Sequence, residues 1–501
     1  MVKHIKFIDL FCGIGGLRLG FENACQDLKI NSTCVFSSEI KPAAIEVYQR
    51  NFSNHKIYGD ITKIDSQAIP SFDILLAGFP CQSFSSAGTR NGLSDERGVL
   101  FYEIERILKE KKPTGFLLEN VSNLLKHENG ETWRIIEDKL SNLGYRVSHK
   151  VLNSKDHGLP QSRERVYIVG TLTKKVNLEK FEEKTSCLGD ILEQGKETLD
   201  TTFALNLLKR YSVTELYGKA IKDKRGGENN IHSWDIELKG HINQEQKELL
   251  NELLKARRKK EWAEIKGIKW MDGMPLTLEE IASFYKPIFF SNNIQQASGI
   301  SRGNLGISSL QALKDLLDDL VEKKYLKYEH PKDEFKIKNK LGKLVKKRLP
   351  REDLPKGYNI VTGKLSFEIN KILDPKDIAP TLVATDMARI AVVDGQGIRT
   401  LTNREGLRLF GFPESFQLDL PIKQAFDLLG NTVPIPVVRK VATRLLCSLY
   451  SFSDLELSES NESNCSSSSS GSLSTNNSTD SDFESDKLFT SIDSLSPVCS
   501  K

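Results

Sequence analysis

The chain has 501 residues, enough for about two to four domains. Its 71 Lys and Arg against 67 Asp and Glu leave a net charge of +4, but residues 451–501 carry nine acidic and two basic side chains, so residues 1–450 are distinctly basic. That excess favours a polyanionic partner. No apolar run is long enough to span a membrane, and residues 1–10 resemble a strand and not a secretion signal, so we expect a cytoplasmic protein without a membrane partner.

Up to about residue 170, short apolar runs alternate with helical patterns. Buried strands are predicted at 5–11, 34–38, 72–78, 115–118 and 165–170, with helices at 42–51 and 100–110. Such alternation predicts an α/β fold built on a doubly wound parallel sheet.

This pattern stops at about residue 173, where long Lys-rich polar segments begin. Compact sequence returns near residue 376 and ends in an apolar helix predicted at 437–446. The tail, 451–501, is rich in Ser and acidic residues and has too few apolar side chains to form a core, so we predict that it is disordered. The eight cysteines form no CxxC pair, and none has a His at zinc-finger spacing, so no metal site is expected.

A glycine-rich motif, FIDLFCGIGG at residues 7–16, follows the first strand. A strand that runs into glycines lets a ligand approach the backbone at the carboxyl edge of the sheet. Arg18 stands where a dinucleotide fingerprint needs its third Gly, which disfavours NAD and FAD. Glu39 could accept both hydroxyls of a ribose, and Asp60 could bind an adenine amino group. This set suits S-adenosylmethionine, although the motif alone also fits an ordinary tight turn.

Two further predicted strands end in reactive side chains, Cys81 after Pro80 and Glu119 in the sequence FLLENV. Because parallel strands end at one edge of a sheet, both side chains can face the same crevice. A thiol needs nearby N–H groups or cations to become a nucleophile, and a carboxyl among apolar walls can hold a proton near neutral pH. Taken alone, a Cys at a strand end is more often a small buried hydrophobic residue.

A third motif, QSRER at 161–165, begins the last predicted strand of this region. Alternation along a strand puts Gln161, Arg163 and Arg165 on one face, where two guanidiniums could bind a phosphate or a nucleobase oxygen. A solvated strand end is the alternative. The motifs at 399–413 and 430–434 could each, alone, be a capped helix or a turn.

Taken in order, the motifs FxGxGG, PCQ, ENV, QxRxR, RExxRLFGFP and GNTV resemble those of the prokaryotic-type cytosine-5 DNA methyltransferase family. The resemblance covers residues 5–172 and 378–448, and it departs at Thr432, where the family commonly has Ser. It implies a Rossmann-like, S-adenosylmethionine-dependent catalytic domain at 1–172, completed by 424–450, with a second, inserted target-recognition region at 173–423. The implied partner is double-stranded DNA.

The resemblance also implies a mechanism. In this family the target cytosine is flipped out of the duplex, so Cys81 would attack C6 while Glu119 protonates N3, and C5 then takes the methyl group. Arg163 and Arg165 would position the base and steady the thiolate. The polar loop 83–97 would close over the flipped base. The cofactor-binding residues implied are Phe11, Gly13, Ile14, Gly16, Glu39, Asp60, Ile61, Pro80 and Asn431.

Cations concentrate in the middle region. A run of five in six residues, 255–260, lies in a stretch predicted to be helical from 244 to 263. Their spread around a helix suits phosphate contacts better than base readout, with a solvated helix face as the alternative. The predicted DNA contacts are Gln82, Ser85, Lys255, Arg257 and Arg258.

Residues 276–348 resemble a winged-helix module. A capping box at Thr277 and Glu280 starts one helix, a strand is predicted at 325–328, and a Lys-rich hairpin follows at 332–348. A plain helical spacer is the alternative.

Two other functions remain open at this stage. A cytosine-5 tRNA methyltransferase would share the catalytic motifs, although a middle region of this length favours a reader of DNA sequence. A non-catalytic DNA-binding regulator could retain the fold but would not need the thiol and the acid together. We expect a monomeric modification enzyme, with a cognate restriction endonuclease acting separately if one exists.

Overall fold

The computed structural model describes residues 4–53, 55–80, 100–224, 226–285, 302–338, 344–362, 367–383 and 387–450. Within these ranges the chain forms two compact units. Unit 1 comprises the residues up to Leu192, the segment Pro375–Ala388 and the chain from Thr402 onward, and unit 2 comprises Glu193–Asp374 and Arg389–Leu401. These boundaries differ from the predicted ones at 172 and 424. The tail that is predicted to be disordered, 451–501, lies outside the described residues.

Seven strands form the sheet of unit 1, in the order β3-β2-β1-β4-β5-β7-β6. They are β1 (His4–Leu10), β2 (Asn31–Ser38), β3 (Ile57–Tyr58), β4 (Ile74–Gly78), β5 (Gly115–Val121), β6 (Arg146–Asn153) and β7 (Glu164–Thr171). The first five are parallel, and β7 is antiparallel to both β5 and β6. The predicted α/β class is confirmed, and the order reverses between β1 and β4, where sheets of this kind form a ligand crevice.

Helices cover both faces of this sheet. They include α1 (Gly16–Asp27), α2 (Pro42–Asn51), α3 (Leu100–Lys111) and α4 (Glu131–Asn142). Phe7 of β1 belongs to the apolar cluster on one face, and Ile8 belongs to the cluster on the other. A strand buried on both faces reads as a continuous apolar run, which is why the sequence pattern located these strands.

Unit 2 contains a five-stranded sheet and two separate strand pairs. Its helices are α5 (Thr202–Arg210), α6 (Gln244–Ala256), α7 (Glu261–Ile265), α8 (Leu278–Ala282) and α9 (Arg302–Glu322). Its strands are β8 (Ala220–Ile221), β9 (Asn230–Ile231), β10 (Leu326–Glu329), β11 (Lys332–Lys338), β12 (Leu344–Pro350), β13 (Gly357–Ile360), β14 (Lys371–Ile372), β15 (Ile390–Asp394) and β16 (Gly397–Thr400). The larger sheet has the order β16-β15-β14-β8-β9, and the pairs are β10-β13 and β11-β12.

The single helix predicted at 244–263 is wrong, because α6 ends at Ala256 and α7 begins at Glu261. The side chain of Arg257 turns into the core of unit 2 and donates to Oδ1 of Asn359 at 2.7 Å. The indole nitrogen of Trp262 donates to the carbonyl of Ala256 at 2.9 Å. The Trp262 bond satisfies a carbonyl group at the end of α6, and the Arg257 bond anchors the residue that follows it, whereas propensity alone would have continued the helix.

The chain completes unit 1 with α10 (Asn403–Arg408), α11 (Ile422–Gly430) and α12 (Ile435–Tyr450). The long helix α12 packs on α1. A Cβ placed on Gly20 would lie 2.5 Å from Val438, so only glycine permits this approach. The contact holds the returning segment against the start of the sheet.

Candidate active site

The loop between β1 and α1 has an unusual backbone. Phe11, Gly13 and Gly15 all have positive φ, at 54°, 54° and 89°. Positive φ is costly for Phe11, and such strain is concentrated at functional sites in proteins. A Cβ on Gly16 would lie 2.8 Å from Oγ1 of Thr432, so the glycine lets the returning segment pack directly on the loop.

Glu39 follows β2 and is bound to this loop. Its Oε2 accepts from the backbone N–H of Gly13 at 2.9 Å, and its Oε1 accepts from the N–H groups of Ile40 and Lys41 at 2.8 and 2.9 Å. A carboxylate has about four acceptor positions, so part of its capacity is already used. The carboxylate is therefore held in one orientation at the carboxyl edge of the sheet.

Ile40 is a residue of this edge that the sequence interpretation missed. Its side chain is 71% exposed, the largest fraction among the exposed large apolar residues of the described chain. It directly follows Glu39, so a highly exposed apolar side chain comes after the oriented carboxylate in the chain. The signal in the sequence was an apolar residue directly after the acid that ends a strand.

Asp60 is half-buried and follows β3 by two residues. Its Oδ1 accepts from both the hydroxyl and the backbone N–H of Thr62, at 2.8 and 3.1 Å, and these bonds lower the pKa of the Asp60 carboxyl. Asp60 therefore remains an anion. The neighbouring Ile61 is buried, and it packs in the core instead of facing the crevice.

Glu119 lies at the end of β5, opposite the last residue of β4, Gly78. Asn120 donates to the carbonyl of Phe79 at 3.2 Å and ties the two strand ends together. Pro80 is the last described residue of this segment, so Cys81 follows directly in sequence but lies outside the described residues.

Arg165 reaches Glu119 because β7 is antiparallel to β5. The first residues of β7 thus lie at the carboxyl edge, where Arg165 is opposite Val121. Its Nε is 3.0 Å from Oε1 of Glu119 in a largely buried ion pair. Burial raises the pKa of Glu119 even though Arg165 and then Arg163 act to lower it. A carboxyl that is both oriented and able to keep its proton is suited to act as an acid.

Arg163 and Gln161 face the returning chain and not an open crevice. The guanidinium of Arg163 is 2% exposed and donates to the carbonyls of Leu382, Gly430 and Thr432 at 3.1, 3.0 and 2.9 Å. Gln161 is also buried, and its amide donates to a carbonyl of unit 1 at 3.1 Å. Arg163 was predicted to position the base and steady the thiolate, and in the structure its guanidinium is engaged by these three backbone carbonyls of unit 1.

Asn431 is exposed at the end of α11, directly before Thr432. Its amide donates to the carbonyl of Asp427 at 2.7 Å. Asp427 in turn forms an ion pair with Lys41 at the start of α2. The contact of Thr432 with Gly16 places this turn beside the glycine loop, although the two are far apart in sequence.

Asp9 is a second residue that the sequence interpretation missed. It lies in β1, two residues before Phe11, and is fully buried. Burial raises its pKa to about 8, against the lowering effect of Arg18. The carboxyl is thus neutral in the folded chain at neutral pH. The signal in the sequence was an acid within an otherwise apolar strand.

The comparison with known families decides the identity of this site. The model of the family described as C-5 cytosine-specific DNA methylase matches residues 5–447. The chain belongs to this family. It is a DNA (cytosine-5-)-methyltransferase, as the motif series predicted, and this assignment sets aside the tRNA-modifying and non-catalytic alternatives.

Curated relatives resemble almost the whole methyltransferase. Type II methyltransferase M.NlaIV of Neisseria lactamica is 52% identical over 455 residues, which are 89% of this chain and 100% of that protein. M.NgoBV of Neisseria gonorrhoeae is 51% identical, with the same coverage. M.BanI of Aneurinibacillus aneurinilyticus is 39% identical over 87% of this chain and 94% of its own length.

The predicted DNA contacts of the methyltransferase fall into three groups. Gln82 and Ser85 lie outside the described residues. Lys255 is exposed and forms an ion pair with Glu252 at 2.9 Å, and Arg258 pairs with Asp272 at 2.8 Å. Arg257 was predicted to contact phosphate, and its burial contradicts that role.

Arg257 is buried because it directly follows the last residue of α6 and its side chain turns into the interior of unit 2. Arg257 is 2% exposed, and burial lowers the pKa of its guanidinium to about 10. It stabilises the interior of unit 2 through Asn359. In the described part of the methyltransferase, no helix is both long enough and apolar enough to cross a membrane.

Proposed function

We propose that this methyltransferase transfers a methyl group from S-adenosylmethionine to C5 of a cytosine in a specific duplex DNA site, as the monomeric modification enzyme of a Type II restriction-modification system. One observation carries the catalytic part. The glycine loop, the end of β4 before Cys81 and the Glu119–Arg165 pair all lie at the carboxyl edge of one sheet. The names of the relatives support the biological role, in which a separate endonuclease cuts unmodified DNA.

The residues at the β1–β4 switch point fit the cofactor. A Cβ on Gly13 would meet no atom within 4 Å, so the loop leaves open space beside its backbone. Glu39 offers its remaining acceptor capacity to ribose hydroxyls, Ile40 an apolar face to adenine, and Asp60 its second oxygen to the adenine amino group. Phe11, Ile14, Gly16, Pro80 and Asn431 frame the same edge. When bound there, S-adenosylmethionine supplies an electrophilic methyl group.

The chain itself prepares the cytosine. The thiolate of Cys81 forms a bond to C6, and Glu119 gives its proton to N3, which receives the displaced electron density. Arg165 holds Glu119 in orientation through its 3.0 Å ion pair. C5 thereby becomes electron-rich and is the atom that is methylated. Loss of the C5 proton, departure of Cys81 and return of the N3 proton to the Glu119 carboxylate then restore the aromatic ring, the thiolate and the acid.

The target base must leave the helix for this chemistry, because C5 and C6 are not accessible from opposite sides of a stacked ring. Arg163 supports the reaction from a distance. By holding the carbonyls of Gly430 and Thr432, it fixes the turn that carries Asn431. The target sequence is then chosen by unit 2, which lies between the QxRxR motif at 161–165 and the RExxRLFGFP motif at 404–413.

The decisive experiment compares the wild-type chain with Cys81→Ser, using labelled S-adenosylmethionine and duplex DNA. We expect Cys81→Ser to bind DNA but to transfer no methyl group, since an alcohol is a far weaker nucleophile than a thiolate. Cys447→Ser, in α12, is the matched control and should retain transfer. Full activity of Cys81→Ser would refute the mechanism. Bisulfite mapping in cells that express the chain would identify the methylated site. Transfer of the label to tRNA and not to DNA would contradict the assignment of DNA as the substrate.

A further inference from the structure

Strands β11 and β12 form a two-stranded ribbon in unit 2. They pair antiparallel from Lys332 opposite Pro350 to Lys338 opposite Leu344, and within the described residues no third strand joins them. Most of their side chains are exposed. An isolated two-stranded ribbon is only marginally stable in water. Its retention as an exposed element therefore suggests a role in binding and not in the stability of the core.

The outer part of this ribbon is cationic. Cross-strand partners share a face, so Lys336 and Lys346 lie side by side, with Lys338 and Arg348 on the same face. Like charges directly opposite each other are unfavourable in a sheet. The other face carries Phe335 and further apolar side chains. The ribbon is therefore an amphipathic element. Its cationic face carries four cations and one acidic residue, Glu334, between the pairs Glu334–Arg348 and Lys338–Leu344.

The acidic residues of the ribbon lie at its inner end and already have partners. Glu334 contacts Lys269 at 2.9 Å and Lys346 at 3.1 Å, and Asp333 contacts Arg351 at 3.6 Å. By contrast, four cations of the ribbon form no ion pair within the described ranges of the chain. They are Lys336, Lys338, Lys347 and Arg348.

The inner end of the ribbon is held by a rigid base. Strand β10, before the ribbon, pairs antiparallel with β13, after it, and Leu276 bridges to Tyr358 of β13. A Cβ on Gly357 would lie 2.5 Å from the backbone of Leu276, so glycine is needed where these segments meet. Tyr358 and Ile360 are buried against the helices α6, α8 and α9. Helices followed by a small sheet with a protruding ribbon have the element order that the winged-helix prediction for 276–348 requires.

We propose that the cationic face of the β11–β12 ribbon binds the phosphate backbone of the duplex that is methylated, and that it adds affinity without choosing the sequence. This inference rests on the proposed function, which supplies duplex DNA as the partner. A two-stranded ribbon is narrow enough to enter or straddle a DNA groove. Lysine is a flexible point charge, which suits contact with phosphate oxygens better than fixed recognition of a base edge.

The test removes the charge of this face in the full-length chain. The ribbon variant carries Lys336→Gln, Lys338→Gln, Lys346→Gln and Arg348→Gln. A control variant removes four exposed cations of unit 1, through Lys29→Gln, Lys109→Gln, Lys112→Gln and Lys174→Gln. Both are compared with the wild type for binding to a duplex with the methylated site and to an unrelated duplex, over a range of salt concentrations.

We expect the ribbon variant to bind both duplexes on the order of 10- to 100-fold more weakly, and the slope of log affinity against log salt to fall by about 3 to 4. The loss should appear in KM for DNA and not in kcat. The control variant should lose far less. A third variant with Lys336→Arg, Lys338→Arg and Lys346→Arg keeps the charge and should bind like the wild type, which separates loss of charge from misfolding.

Three results would overturn the proposal. The first is equal DNA affinity of the ribbon and control variants. The second is loss of preference for the methylated site with unchanged binding to unrelated DNA, which would mean base recognition. The third is a loss that appears with phosphatidylserine vesicles and not with DNA, which would mean a membrane surface. Absence of methyl transfer by the wild-type chain, measured in parallel, would instead contradict the proposed function.

Discussion

The candidate active site of unit 1 and the ribbon of unit 2 hold their cations in opposite ways. In unit 1, Arg163 and Arg165 are enclosed, one by three backbone carbonyls and the other by Glu119. In unit 2, the cations of β11 and β12 extend into solvent, and most of them are unpaired within the described chain. A reacting base needs groups that are already oriented, because reorientation during the reaction costs free energy. A phosphate backbone can instead be bound by mobile charges. The contrast is the one expected between the proposed chemical site and the proposed surface for affinity.

The largest effect that would sharpen this contrast is expected from Glu119→Gln. The amide keeps the shape and a hydrogen bond but cannot give a proton to N3, so the rate of methyl transfer should fall by roughly 10²- to 10⁴-fold. Binding of DNA should change little. Single-turnover rates with excess enzyme measure this directly, and Glu110→Gln, on the exposed side of α3, is the control.

The pH dependence of the same reaction provides a second readout for Glu119. Burial raises the pKa of its carboxyl, and the acid is active only when protonated, so the wild-type rate should decline as pH rises through that raised pKa. Glu119→Gln should lack this decline. An identical pH profile for the two enzymes would show that Glu119 is not the proton donor.

An intermediate effect is expected from Arg163→Lys, compared with Arg258→Lys in unit 2. A lysine cannot satisfy all three carbonyls that Arg163 holds, so we expect a loss of about 2–4 kcal/mol in the free energy of unfolding and a raised KM for S-adenosylmethionine. Arg258 forms a partly exposed ion pair with Asp272, and its replacement should cost less than about 1 kcal/mol. Calorimetric thermal unfolding measures both. If Arg163→Lys and Arg258→Lys lowered the free energy of unfolding equally, the distinction between an enclosed and a partly exposed cation would not hold.

The smallest effect concerns Asp9 and depends on pH. The folded chain keeps Asp9 protonated up to about pH 8, whereas the unfolded chain loses that proton near the ordinary pKa of 3.8. Unfolding between these values releases a proton, so Asp9 should make the free energy of unfolding fall by about 1.4 kcal/mol per pH unit as pH rises. Asp9→Asn should lack this contribution. Thermal unfolding at pH 5, 6 and 7 compares the slopes, and parallel slopes would contradict the raised pKa.

Much of unit 1 was predictable because its strands are buried on both faces. The apolar runs before Cys81 and Glu119 located β4 and β5, and the rule that parallel strands end at one edge predicted that both residues lie at the crevice. The family was identified from the order of short motifs, and the family match confirmed it. Local signals sufficed here, since each motif lies within or directly after one element.

The roles of Arg163 and Arg165 could not be separated in the same way. Alternation puts both on one face of the chain, yet Arg165 reaches Glu119 while Arg163 is used by segments that lie more than 200 residues away in sequence. The antiparallel direction of β7 depends on its neighbours in the sheet and has no local signature. The prediction that Arg257 contacts DNA is wrong for a similar reason, because the partner that its side chain binds, Asn359, lies in a strand distant in sequence.

The sequence by itself determined the family and the α/β class, and it predicted which residues form the reacting set. Apolar periodicity and motif order are properties of the sequence itself, so they can be recognised without knowing which segments are in contact. Only the tertiary structure decided which charges are enclosed and which are exposed. The pKa of Asp9, the bonds of Arg163, the burial of Arg257 and the exposed cations of the ribbon all depend on neighbours distant in sequence, because solvation and hydrogen bonding are set by the surrounding atoms.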